Sequence, residues 1–342
     1  MNDIDEFEIF LAGTPGLEGE LLVEAEARGF AGAVRVPGGV TCRGDWPEVM
    51  RANLELRGAT RVLARIGSFR AMHLAQLDKR ARKFPWADIL RPDVPVRVEA
   101  TCAKSRIYHA GAAAKRVEAA IREELGAEIS ADAELRLKVR IDDDLCAFSI
   151  DTSGEPLHKR GHKEAVGKAP MRETLASLFL RQCGYDGVEP VLDPMCGSGT
   201  FVIEAAEIAA GLNPGRTRRF AFELLANHDP ALWADMRAGG APITPANRCH
   251  GSDRDAGAIR MARANAERAG VDGFTDFAMH AMNGMDLIRE CRRISPEQKI
   301  LLVSGTVDEA VYRDSPFKPD DFLAKPYPAR QLADSVQSLL AR

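Results

Sequence analysis

Asp193-Pro194-Met195-Cys196-Gly197-Ser198-Gly199-Thr200 follows a short apolar run, Pro190-Val191-Leu192, and precedes Phe201-Val202-Ile203-Glu204-Ala205-Ala206. The first piece reads as a strand, the second as a glycine turn, and the third as a helix of good helix formers. Two glycines two residues apart let backbone approach a ligand closely, and the N–H groups that open the following helix favour a negatively charged group. A strand–turn–helix of this kind belongs to a Rossmann-like, doubly wound parallel sheet that binds ligands at the carboxyl ends of its strands. The ligand expected here is a small molecule with a carboxylate or phosphate.

About fifty residues downstream comes Cys249-His250-Gly251-Ser252-Asp253-Arg254-Asp255. Asp255 is placed to cap a helix from Ala256 to Ala269, which Gly270 ends. An acid at the end of the second strand of such a sheet accepts hydrogen bonds from ribose hydroxyls, which makes Asp253 the candidate. Cys196 lies inside the glycine loop and reads as a small packing residue rather than a nucleophile.

Upstream, residues 1–70 alternate strand-like and helix-like pieces: Phe7 to Leu11, a helix from Leu17 to Arg28, Ala33 to Val36, a Pro37-Gly38-Gly39 turn, Val40 to Cys42, a helix from Trp46 to Leu56, and Arg61 to Ile66. Residues 71–155 form a second α+β unit, with a strand from Val94 to Ala100 and a helix from Ala110 to Leu125. Lys104, Arg106, Lys115, Arg116 and Arg122 stand against only Glu118 in that span, with Tyr108 and His109 interleaved. Such a patch neutralises phosphates and offers a ring for stacking, or it is simply a solvated helix face. Asp151 to Pro156 reads as a linker, and Ala169-Pro170 as the start of another helix, proline being well suited to that position.

The chain has 342 residues, 45% of them hydrophobic, enough for two or three domains with sizeable cores. A net charge of −4 means that nucleic-acid contact rests on local basic patches, not on a globally basic surface. Seven scattered cysteines lack the paired spacing of a zinc site and read as reduced thiols. The N-terminal stretch has no Lys or Arg before Arg28, and no apolar run approaches the roughly 18 residues of a membrane span, so the expectation is a cytoplasmic protein without membrane contact.

Several stretches together carry a resemblance. Ala12-Gly13-Thr14-Pro15-Gly16-Leu17-Glu18, then Lys104-Ser105-Arg106-Ile107-Tyr108-His109 with its basic helix, and the segment from Leu157 to Ala176 resemble bacterial THUMP-domain RNA methyltransferases. The pairing of Asp193–Thr200 with Gly251-Ser252-Asp253-Arg254-Asp255 is similar to the S-adenosylmethionine site of that family. The resemblance implies a ferredoxin-like domain over 1–70, an RNA-gripping THUMP domain over 71–155, and a methyltransferase domain from 156. It implies cofactor contacts from Asp193, Pro194, Cys196, Gly197, Ser198, Gly199, Thr200, Asp253 and Asp255. RNA contacts are implied for Lys104, Arg106, Tyr108, Lys115, Arg116, Lys159, Arg160 and Arg172, with ribosomal RNA as partner, guanine N2 as target and no DNA specificity. The family's Asn-Pro-Pro-Tyr type motif, which orients the target amine, has no counterpart: the chain contains no Pro-Pro pair, and its one Asn-Pro, Asn213-Pro214, precedes the second strand.

From residue 274 the sequence resembles the C-terminal half of a response-regulator receiver. Phe274 to Arg289 looks like its third strand and the loop that follows, Lys299 to Gly305 its fourth strand, and Asp320 to Tyr327 its fifth, with a last helix from Ala329 to Leu340. This resemblance implies Asp276 as phosphoryl acceptor, Ser304 and Lys325 as its partners, a cis Lys325–Pro326 bond and a histidine-kinase phosphodonor. Magnesium would be needed only if that site works, and the paired acids that hold it are missing after 270. The expected architecture is a methyltransferase sheet over 156–273, completed by 274–342 into five strands of order 2-1-3-4-5, with Asp276 beside Asp193. Three functions follow: an RNA methyltransferase of weak or absent activity, a phosphorylation-responsive RNA-binding module, or a non-catalytic RNA-binding adaptor.

Overall fold

The computed structural model describes residues 6–164, 171–239, 242–279, 284–294, 296–297, 299–304 and 316–341. Ala169, Pro170, Gly305 and residues 280–283, all of them used in the sequence reading, lie outside that range. The chain divides into two compact units.

The first unit gathers residues 1–13, 22–157 and 215–239. Its strands are β1 (Phe7–Ala12), β2 (Val34–Val36), β3 (Gly39–Gly44), β4 (Arg61–Arg70), β5 (Val96–Ala103), β6 (Leu135–Asp142) and β7 (Leu145–Asp151). They make one sheet of order β2-β3-β1-β4-β7-β6-β5. The two α+β units expected on either side of residue 70 thus share one sheet, because β4 pairs with β1 on one edge and with β7 on the other. Helices α1 (Glu18–Ala27), α2 (Trp46–Glu55), α3 (Leu74–Ala81) and α4 (Ala110–Leu125) alternate with these strands. Asp45 caps α2 by accepting from Glu48 N, and Gly126, at φ +80°, ends α4.

The insertion after Asn213 has a structural role. Gly215 N donates to Leu54 O, Phe222 N to Thr152 O and Ala226 N to Ile89 O. Arg218 donates to the carbonyls of Ser153, Glu155 and Pro156, and Phe220, Phe222 and Trp233 stack into one aromatic cluster. These bonds fasten the insertion to the sheet unit.

The second unit holds residues 14–21, 158–214 and 240–342. In order come α5 (Glu173–Gln182), β8 (Leu192–Asp193) and α6 (Thr200–Ala209), then, after α7 (Pro230–Ala238) of the first unit, β9 (Cys249–Asp253), α8 (Ala256–Ala269) and β10 (Thr275–Met279). The described part of the tail adds α9 (Gly284–Ile294), β11 (Leu301–Ser304), β12 (Asp321–Ala324) and α10 (Ala329–Leu340). Strands β8, β9 and β10 form a parallel sheet of order β10-β9-β8, and β11 pairs in parallel with β12. Val202, Ile203 and Ala206 of α6 and Ile259, Ala262 and Ala266 of α8 pack with Phe277 and Cys249 into its core.

This arrangement corrects the five-stranded order 2-1-3-4-5. The strand that holds Asp276 lies beside β9, not beside β8, so among the described residues it does not fill the slot next to Asp193. The α8 crossover carries the chain from β9 to the adjacent parallel position, the ordinary outcome for a strand–helix–strand unit.

Candidate functional site

The glycine loop is built from both sides of the β8–β9 pair. Asp193 ends β8 opposite Gly251, and its carboxylate accepts from Met195 N at 3.0 Å, which turns the chain away from the strand. Cys196 N then donates to Ser252 O at 3.0 Å, and Gly197 N donates to Asp253 Oδ2 at 3.0 Å. The other oxygen of Asp253 accepts from Asp255 N at 2.9 Å. From α8, Asn265 Nδ2 holds Ser198 O at 3.0 Å.

Both glycines sit at positive φ, but for different reasons. A Cβ on Gly199 (φ +87°) would meet Ala262 Cβ at 3.1 Å and Ile203 Cδ1 and Phe277 Cζ at 3.2 Å, so this glycine lets α6 pack on the sheet. Gly197 (φ +54°) has nothing within 4 Å of that position and faces open space. Gly199 is also the N-cap of α6 and has no side chain to bond the first-turn N–H groups. Those donors are suited to a ligand's carboxylate.

Asp193 keeps some solvent-facing surface, yet burial of its carboxylate pushes its pKa up to about 6. The Met195 N–H and the Lys325 charge pull the other way, and Asp253 adds to the rise. A desolvated carboxylate beside a second one attracts a cation. The loop therefore offers donors for a carboxylate beside two acids. Cys196 is buried, and burial pushes its thiol up to about 12, so it packs and does not react. Asp255 caps α8 through Gly257 N, and Thr200 Oγ1 accepts from Lys163 Nζ at 2.8 Å.

The entry segment is held by buried charges. Arg160, expected at the RNA surface, is 2% exposed and pairs with the fully buried Glu204 of α6 at 3.3 Å, which corrects that expectation. One turn on, Glu207 faces His162 Nδ1 at 3.9 Å. Lys163 Nζ donates to Met171 O at 2.7 Å and lies 3.2 Å from Glu173 Oε1, at the start of α5. Arg268 of α8 donates to His162 O. His158 is held down to about 4 by burial and by the charges of Arg172, Arg160, Lys159 and Lys163. Sequence reasoning missed this network. The available signal was α6 itself, whose two acids three residues apart in an apolar helix require cations from elsewhere.

The remaining expected residues are spread over both units. In the first, Lys104, Arg106 and Tyr108 lie exposed on one loop, Tyr108 being 84% exposed, and Lys115 and Arg116 are exposed on α4. In the second, Lys159 and Arg172 are exposed.

Asp276 does not stand at a ligand-facing strand end. It is the second residue of β10, opposite His250, and its partners are Arg248 at 3.1 Å and His250 at 3.6 Å. A phosphoryl acceptor needs a place at the carboxyl end and acids for a metal; this carboxylate has a guanidinium and an imidazole near the opposite end. Ser304 and Lys325 do come together, at the ends of β11 and β12, where Lys325 N donates to Ser304 O at 2.8 Å before the cis Lys325–Pro326 peptide. Among the described residues no group of three or more His, Cys, Asp or Glu side chains could hold a metal. No helix there is long and apolar enough to cross a membrane.

Comparison with known proteins agrees with this geometry. Residues 8–63 match the RlmL ferredoxin-like domain and residues 160–294 the RMKL-like methyltransferase domain. The second match runs through β10 and α9, so the part of the tail up to 294, read as receiver, follows the methyltransferase pattern. The ribosomal RNA large subunit methyltransferase K/L of Psychromonas ingrahamii is 31% identical over 284 residues, which cover 79% of this chain but only 38% of that relative. A predicted N6-adenine-specific DNA methylase from Listeria monocytogenes superposes with a TM-score of 0.74 at 26% identity, covering 96% of this chain and 91% of that one. A possible methylase from Clostridium difficile gives 0.73 at 28% identity, covering 89% and 82%. Residues 8–63 are thus similar to an RlmL ferredoxin-like domain, and residues 160–294 to an RMKL-like methyltransferase domain.

Proposed function

We propose that this chain binds S-adenosylmethionine on the Asp193–Thr200 loop and RNA on its first unit, as an enzyme that methylates large-subunit ribosomal RNA at guanine N2. The observation that carries the reading is the loop: the first-turn N–H groups of α6 lie beyond a bare glycine cap, with Asp193 and Asp253 beside them. In this reading residues 1–70 are the ferredoxin-like domain, 71–155 the THUMP domain, and the methyltransferase domain begins at 156. The similarity to a ribosomal RNA methyltransferase supports RNA as the substrate class.

Bound S-adenosylmethionine supplies a methyl group on an electrophilic sulfonium. The α6 N–H groups would receive its carboxylate, Asp193 its ammonium and Asp253 its ribose hydroxyls, while Asp253 keeps Gly197 N in place. Holding both partners in one geometry supplies most of the rate in such a transfer. The chain has no Asn-Pro-Pro-Tyr motif to accept from the target amine, so turnover is slow or absent while binding persists.

Calorimetric titration with S-adenosylmethionine tests the reading. The parent chain gives a saturable heat, and Asp253→Ala loses it while retaining cooperative thermal unfolding. Absence of heat in the parent removes the cofactor assignment.

A further inference from the structure

Helix α3 presents three faces. Leu77 and Ala81 are buried in the core, and Asp78 and Arg82 form an ion pair on a second side, where Arg82 also reaches Glu123 and Glu124 of α4 at 2.6 and 3.2 Å. The third face carries His73, Gln76, Lys79 and Arg80, with Lys83 just past the helix end. Spacings of three and four residues align them in one stripe, and they line a surface cavity of about 580 Å3.

The stripe is short of negative charge. Of the acids nearest in sequence or packing, Asp78, Glu123 and Glu124 are taken by Arg82, and Asp144 lies 3.8 Å from Arg106. Lys79, Arg80 and Lys83 are exposed, and among the described residues none forms an ion pair with a carboxylate. His73 Nδ1 accepts from Gln76 N as the helix cap, which turns its other nitrogen outward as a donor. Gln76 Oε1 accepts from Met72 N, leaving its amide hydrogens to donate. The acceptors of this face are thus engaged within the helix start, and its donors are left to face outward.

At its N-terminal end the stripe is continuous with a second basic loop. Met72 Sδ lies 2.7 Å from Arg106, two residues before Tyr108 with its exposed ring. From His73 to Lys83 the stripe spans about 15 Å at 1.5 Å per residue. That is length enough for more than one backbone phosphate of a single strand. An aromatic face at the end of a row of donors is the arrangement by which single strands are held, with stacking on the ring and the backbone on the cations.

We propose that the α3 stripe is a backbone track for single-stranded RNA, running from Tyr108 and Arg106 along His73, Lys79 and Lys83. This rests on the RNA-binding reading above and extends it from Arg106 and Tyr108 to residues of α3 not used there. The test uses the full chain and a fluorescein-labelled single-stranded RNA of about twelve nucleotides, followed by anisotropy between about 50 and 200 mM salt. Each lost phosphate contact on a single strand flattens the slope of log K against log salt by about 0.7. Lys79→Gln/Lys83→Gln should therefore weaken binding about tenfold at the low-salt end and flatten the slope by about 1.4, with the thermal midpoint and S-adenosylmethionine titration unchanged. The double variant binding like the parent, with the same slope, overturns the track while RNA binding itself stands. A parent that binds no RNA overturns both. Polyglutamate displacing the RNA at equal charge concentration assigns the stripe to acidic polypeptide and overturns the RNA assignment.

Discussion

Asp193→Asn separates the cost of the loop's acid from its use. In the folded chain the carboxyl titrates at about 6, against about 3.8 for an unperturbed group, chiefly because its surroundings desolvate it. A folded pKa above the unfolded one means that the folded state binds the proton more tightly. The stabilisation this gives is complete below about pH 4 and is lost as pH rises through about 6. At pH 8 the ionised carboxylate therefore costs the folded unit about two pKa units of free energy, up to about 3 kcal/mol at 1.36 kcal/mol per unit. Partial exposure brings this to roughly 1–3 kcal/mol. Asparagine keeps an oxygen to accept from Met195 N but carries no charge. The variant should melt several degrees above the parent at pH 8, at about 2–4 °C per kcal/mol, and level with it near pH 4.5. Its affinity for S-adenosylmethionine should fall about 10- to 100-fold, the worth of a charge-assisted hydrogen bond. A variant less stable than the parent at pH 8, or a difference that does not change with pH, would refute the desolvated-carboxylate argument.

Lys163→Met leaves the buried Glu173 without its ammonium and should cost about 3–5 kcal/mol in thermal unfolding; adding Glu173→Gln should recover most of it. Gly199→Ala meets both a left-handed backbone and three contacts at 3.1–3.2 Å, for a cost of about 2–5 kcal/mol. Gly197→Ala meets only the backbone term, about 1–2 kcal/mol, and its larger effect should appear in cofactor titration. His158, held down to about 4, contributes stability that is whole above about pH 6.5 and is lost as pH falls toward 4. His158→Phe should flatten that acid limb in melts taken from pH 7 to 4.5, and an unchanged limb would count against the burial argument.

The parts of the fold that were legible are those with local causes. Asp255 and Gly270 bracket α8 as expected, with Ala256–Ala269 between them, and α4 runs from Ala110 to Leu125 because Gly126 is free to turn left-handed. The glycine loop was readable for the same reason: its shape comes from residues within eight positions. What was not legible depends on partners far along the chain. Lys159-Arg160-Gly161-His162-Lys163 reads as a surface charge run, and nothing nearby shows that Glu204 and Glu207, more than forty residues later, draw Arg160 and His162 inside. The union of two α+β units in one sheet depends on β4 meeting β7, some eighty residues away. Asp276 went astray for a similar reason. An apolar run with an acid fits either parent fold, and only the pairing of β10 with β9 places that acid at the far end from the ligand side.

The buried charges of α6 bear on the cofactor loop through one mechanical fact: α6 begins where the loop ends. Gly199 is its cap and Thr200 its first residue, so the position of the helix sets the direction of the N–H groups offered to a ligand. A helix with Glu204 and Glu207 on its packed face is poorly placed unless cations meet them, because an unpaired buried carboxylate costs several kcal/mol. Arg160 meets Glu204 and His162 faces Glu207, and the same segment ties Thr200 and the start of α5 through Lys163. Docking of the entry segment and correct aim of the loop are therefore one event. A hydrophobic pair at 160 and 204 would hold the helix about as firmly, but would form with less regard to the register of the segment, whereas an ion pair with fixed hydrogen-bond directions accepts one alignment. The basic run that looked like an RNA-facing surface serves at its centre to set the geometry of the cofactor site, and Lys159, with Arg172 beyond the run, is left for contact outside.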